Sequence, residues 1–203
     1  ITGVAGSGGM IVNSLSSGVN ANVYLQAGAG GLILPGTAIN AGTGQVSLLS
    51  GSTLLGMGAL TGSIVLVQAP SGISITDNIA ASSNLQMSSG VAGITQTGGA
   101  IQVAGPSSFA AGTGPVSLTQ PGNDFASIGV TGGVVSLQDS NGVVLSGVSA
   151  ATSLTVNANG NVSQTAPVVV SGTTTVNAGI GNVTLTTAGN NLNVLNVAGN
   201  AIN

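Results

Sequence analysis

The phrase AGTGQVSL at residues 41–48 returns as AGTGPVSL at 111–118 and as AGIGNVTL at 178–185. A chain that rewrites one short phrase is repeating a supersecondary unit, because such a unit cannot bury its apolar face alone and must lean on neighbours. The copies begin at Ala41, Ala111 and Ala178, so the sequence offsets are 70 and then 67. Other segments keep these offsets. TGSIVLVQ at 61–68 maps onto TGGVVSLQ at 131–138, and PGNDF near Gly122 maps onto AGNNL near Gly189. The chain reads as one continuous domain, 1–203, made of units at approximately 1–50, 51–120 and 121–187 with a partial unit at 188–203.

A finer beat runs inside the units. VSL at 116–118 recurs at 135–137 and is followed by LTV at 154–156, a constant offset of 19, and Asn123, Gly142 and Asn161 keep the same step. This predicts rungs of about 19 to 23 residues, of the kind that solenoids stack. About nine to ten of them would make a rod of about 50 Å at the strand spacing.

Each triplet alternates, with Val116 and Leu118 on one side of Ser117 and Val183 and Leu185 on one side of Thr184. A period of two is that of a strand. The expected core ladder is Val46, Leu48, Val116, Leu118, Val135, Leu137, Leu154, Val156, Val183 and Leu185, with Val116, Val135 and Leu154 stacked in one column. Glycine-rich and asparagine-rich corners separate the triplets, and Asn123, Asp124, Asp139, Gly142 and Asn161 are the expected turn positions. The fold class that follows is all-β, a parallel β-helix. A β-sandwich also uses short strands, but its strands need not repeat in sequence.

Composition narrows the function. Among 203 residues there is no Lys, Arg, His or Glu, and the charged side chains are Asp77, Asp124 and Asp139, where an ordinary domain would carry about a quarter charged residues. Disorder is not the reading, because 42% of residues are hydrophobic. With aromatics limited to Tyr24, Phe109 and Phe125, the core must be many similar aliphatic layers rather than a few large rings. A chain without cations is no partner for nucleic acid or for an anionic membrane surface. Zero cysteines removes disulfides and thiolate metal sites. No apolar run approaches the length of a membrane span, and no basic stretch leads into a signal-type apolar segment.

The stretch from Pro121 to Gly179 resembles the β-strand repeats of filamentous haemagglutinin-like adhesins, through GNDF, VTGG.VSL.D.NG..L, LTV.A.G..SQT and VSGTTT..AG. The first half follows more loosely, through the offset of 70. The resemblance implies a right-handed parallel β-helix, exported by two-partner secretion to an extracellular or bacterial cell-surface location, and acting as a long adhesive rod. The family's secretion domain is not recognisable, and a complete lack of Lys and Arg is extreme for such repeats.

β-Helices also carry polysaccharide-cleaving enzymes, which need a general acid and base. No His, Lys, Arg, Cys or Glu can serve, and Asp124 and Asp139, at an offset of 15, miss the rung step and are expected at different corners. Calcium wants six to eight oxygens, usually with several carboxylates, and no two Asp share one local loop. The expectation is no enzyme, no cofactor and no metal. TTT at 173–175 and TLTT at 184–187 suggest an ice-binding Thr array, set against the general taste of exposed strand positions for Thr. NVS at Asn161 and NVT at Asn182 match a glycosylation signature that would be accidental in a bacterial protein. Neither ITGVAGSGG nor NVAGNAIN carries a charge, proline or helical cap, so the coil is expected to continue, or to receive another molecule's rung. The expected protein is a structural rod or filament subunit for adhesion, matrix or sheath. It associates with itself head to tail or laterally. The alternative is a shaft or binding module of a giant adhesin that recognises a glycan, ahead of ice, with a host or cell-surface glycan or protein as the expected partner.

Overall fold

A computed structural model describes residues 1–15 and 20–203. Among these described residues 18 strands form one continuous sheet, every ladder is parallel, and the chain coils as a right-handed parallel β-helix of about nine turns. Parallel pairing throughout rules out the sandwich, whose sheets are antiparallel. Each turn has three sides, and the ladder of the third side shows the stacking most completely. Met10, Leu32, Leu54, Ile73, Ile94, Val116, Val135, Leu154, Thr174 and Leu195 lie one above another.

The core is what the alternating triplets dictate. Along Val116–Leu118 the outer two residues are buried and Ser117 is partly exposed, and Ile73–Ile75 and Ile94–Gln96 bury the same alternate positions. Each fully buried Val, Leu or Ile contributes about 1.5–3 kcal/mol, so the ladders hold the rod together without charge pairs. Phe109 and Phe125 fill the largest interior volume, edge to face with ring centroids 6.0 Å apart.

The repeated phrase is a corner. In each copy the second residue is a left-handed glycine, Gly42 at φ 58°, Gly112 at 55° and Gly179 at 55°. The fourth residue closes the turn by donating to the first residue's carbonyl, Gly44 to Ala41 at 2.8 Å, Gly114 to Ala111 at 2.7 Å and Gly181 to Ala178 at 2.8 Å. Glycine adopts that φ without a Cβ penalty, which is why the phrase keeps its spelling.

The three corners are nevertheless not stacked on one another. Val46 belongs to the ladder Val23, Val46, Val65, Leu85, Ser107 on the second side. Val116 belongs to the third side, and Val183 to the ladder Val143, Val162, Val183, Ile202 on the first. From Val46, three rung steps reach Ser107, and Val116 lies on the next side; from Val116, three steps reach Thr174, and Val183 lies on the next side. The sequence unit is thus three turns plus one side. Reading the units as sitting squarely on each other is corrected by this registry.

Long strands bend around corners through bulges. Register shifts fall between Val103 and Pro106 and between Val170 and Thr173, and a glycine sits at each, Gly105 and Gly172, where a Cβ would lie 1.8 Å from the Ser83 carbonyl oxygen and 2.0 Å from that of Thr152. Pro106 interrupts its strand at such a shift, the position a sheet allows a proline.

Candidate functional site

Nine of the ten expected core-ladder residues, Val46, Leu48, Val116, Leu118, Val135, Leu137, Leu154, Val156 and Val183, are at most 3% exposed. Leu185 is half-buried against the same core. Its amide donates to Asn203 on the last rung. Val116, Val135 and Leu154 stack directly.

The expected turn positions do more than turn. Asn123 is fully buried and exchanges two amide hydrogen bonds with Gln96, each 2.8 Å, while its Oδ1 also accepts from the Ile101 amide at 2.9 Å. Asn190 and Gln164 repeat the arrangement, at 2.8 and 2.9 Å, with Val168 as the backbone donor. Because both side chains in each pair are satisfied, polar atoms enter the corner without the desolvation cost of an unpaired amide. Asn161 Oδ1 accepts from the Asn182 amide one rung on, and Gly142 packs on the Asn161 backbone. Asn123, however, stacks on Ser140, whose amide donates to its carbonyl at 2.7 Å, and not on Gly142.

The expectation that Asp124 and Asp139 sit at different corners is corrected. The ladder pairs Ile128 with Leu145, a step of 17 that falls short of the 19 in the beat, and this short turn brings both ends of the strand Asp124–Asp139 to one corner. Asp139 Oδ2 accepts from the Phe125 amide and its Oδ1 from the Asn141 amide, each at 2.9 Å, while Asn141 Nδ2 donates to Asp124 Oδ1 at 3.1 Å. Burial pushes the Asp139 carboxyl above its ordinary range; the two backbone donors pull it down, and the nearby Asp124 charge adds to the rise. This pair is tied into the corner by its own neighbours. Among the described residues no three His, Cys, Asp or Glu gather where they could hold a metal ion.

An open groove of about 380 Å³ runs along the rod at one corner. Gly42, Gly62, Ala81, Val103 and Asp124 mark its successive rungs, with Gln102 on its wall. Small side chains make it shallow.

The third side carries the most regular surface. Outward from its core ladder, Ser74, Thr95, Ser117, Ser136, Thr155 and Thr175 follow one another through six consecutive rungs, and Asn196 comes next. Among the described residues none of these six hydroxyls bonds to another protein group. Below Ser74 the same outward file is apolar, with Ile11, Ile33 and Leu55. The sequence hides this file. The spacings between successive members run 21, 22, 19, 19 and 20, so no fixed period aligns them. The contiguous TTT at 173–175 contributes only Thr175 to the file, since Thr174 between the two outward threonines is buried.

A family model described as repeats of unknown function (DUF5649) matches the chain twice in tandem, at residues 61–131 and 132–200. Each matched copy contains one of the reciprocal amide pairs, Gln96 with Asn123 and Gln164 with Asn190. No curated protein and no solved structure matches. Among the described residues no helix is long and apolar enough to cross a membrane.

Proposed function

The chain belongs to the DUF5649 family of repeats, and from that premise we propose that it is a non-enzymatic structural protein, a secreted β-helical rod that assembles through rung stacking into a filament for bacterial surface adhesion, matrix or sheath. The observation that carries this reading is the parallel ladder that runs from rung to rung through the described residues of the coil. A unit of three turns plus one side adds about 16 Å of rod, at about 4.8 Å per rung. Length then scales with repeat number, as a stalk or fibre requires.

Rung stacking has a physical basis in the strand edge. Any parallel coil exposes unpaired N–H and C=O groups where it stops. A head-to-tail contact of that kind need not close, and it builds a filament. Almost no charge opposes the approach of a second rod. The resemblance to filamentous haemagglutinin-like repeats supports the extracellular setting. The second reading, a shaft or glycan-binding module of a giant adhesin, draws on the tandem match of two repeats in one continuous coil.

Electron microscopy across a concentration series tests assembly. Filaments of one rod's width that lengthen with concentration support it. Dispersed monomers at every concentration remove the filament and leave the shaft.

A further inference from the structure

We infer that the hydroxyl file of the third side is a binding surface for the ordered water lattice of ice. Three observations select that occupant, and none depends on the rod assembling.

The first is charge and chemistry. The file Ser74, Thr95, Ser117, Ser136, Thr155, Thr175 holds only neutral hydroxyls, and the file beside it, Thr76, Thr97, Thr119, Gln138, Asn157, Asn177, holds only neutral hydroxyls and amides. An ionic ligand finds no counter-charge on such a surface. The second is area. Six rungs and two files cover on the order of 350 Å², against about 800 Å² that each partner gives to a stable protein interface. A second protein is therefore poorly served. The concavity on this side is a wide-open depression of about 250 Å³ beside Leu55, Ser74 and Thr95, which does not enclose a small ligand, and it offers no ring on which a sugar could stack. Phe109 and Phe125 are buried, and Tyr24 lies on the second side.

The third observation is spacing. In tetrahedral water each neighbour lies about 2.8 Å away, so two neighbours of one molecule are about 4.6 Å apart. Successive rungs hold their hydroxyls about 4.8 Å apart. The mismatch, about 0.2 Å per rung, grows to about 1 Å over five steps, well under half a repeat. All six hydroxyls can therefore occupy one row of lattice positions together. Binding a soluble sugar would exchange hydrogen bonds with water for little net gain, whereas an ice surface is already water and requires no dehydration of the hydroxyls. The six hydroxyls from Ser74 to Thr175 are available for this because, among the described residues, none is used within the protein, whereas Thr76 and Thr97 of the neighbouring file donate to the Met57 and Ile75 carbonyls.

The test is growth and recrystallisation of ice in the presence of the full chain, with Ser117→Tyr to lift the lattice off the file, Thr155→Val to remove one hydroxyl at constant shape, and Gln68→Tyr on the second side as control. Circular dichroism confirms the fold of each. The inference expects the parent and Gln68→Tyr to facet ice crystals and slow recrystallisation, Ser117→Tyr to lose at least tenfold in effective concentration, and Thr155→Val to lose severalfold. Ice that grows unaltered with the parent chain overturns it. So does full activity in both third-side variants, or retention on insoluble cellulose combined with inertness toward ice.

Discussion

Thr174 occupies a place that the stacking reserves for aliphatic residues, and replacing it with valine should stabilise the rod. Its neighbours along the ladder are Leu154 below and Leu195 above, its side chain is fully buried, and its Oγ1 has no hydrogen-bond partner. A buried hydroxyl without a partner costs about 1–3 kcal/mol. Valine keeps the branched shape and replaces the hydroxyl with a methyl, so Thr174→Val should gain about 1–2 kcal/mol. In a chain of this size that is about 2–8 °C in Tm. A solenoid can open from one end, so the better assay is amide exchange in Val168–Asn177 and Asn191–Ala198, where the gain should concentrate. Thr175→Val, one residue along and facing out, is the control and should stay within about 0.5 kcal/mol. The reasoning is refuted if Thr174→Val is neutral or destabilising, or if both variants gain equally.

Three further outcomes follow from the same geometry. Asp139 has a folded pKa above its unfolded one, so the native state holds the proton more tightly; stability should be greatest below the ordinary carboxylate range and decline as pH rises through it, which urea titrations at about pH 3 and pH 7 would detect. Gln96→Leu strands the buried Asn123 amide and should cost about 1–3 kcal/mol in urea unfolding, whereas Gln26→Leu, exposed one unit earlier, should cost less than about 0.5. Gly105→Ala and Gly172→Ala each drive a methyl into a carbonyl of the rung below and should each lower stability by at least about 2 kcal/mol, read from thermal melts.

Much of the fold was legible because strand chemistry is local. Val-Ser-Leu announces in, out and in wherever it occurs, and Ala-Gly-x-Gly announces a corner, so the core ladder and the coil could be read from the triplets between Val116 and Val156, where three successive rungs share one length. What connects one rung to another is set by corner lengths and bulges, and these carry no repeated letters. The short step from Ile128 to Leu145 therefore concealed the meeting of Asp124 and Asp139, and the longer, unequal steps from Ser74 to Thr95 and from Thr95 to Ser117 concealed the alignment of those three hydroxyls. The reciprocal pairs were equally hidden. Gln96 and Asn123 are far apart in sequence because each reaches around a corner to the next turn. The offsets of 70 and 67 looked like a stacking distance, yet they describe where a corner of the same chemistry is next needed, one side further around.

That registry is the central claim, and thiol cross-linking tests it most directly because the chain has no native cysteine. Cysteine pairs at Ser117 with Ser136 and at Leu49 with Gln68 are ladder neighbours with accessible side chains and should join rapidly through a short thiol-specific cross-linker. A pair at Leu49 with Thr119, equivalent just after the phrase but on different sides, should not join. Fast cross-linking of Leu49 with Thr119, or none between Ser117 and Ser136, would contradict the three-turns-plus-one-side coil.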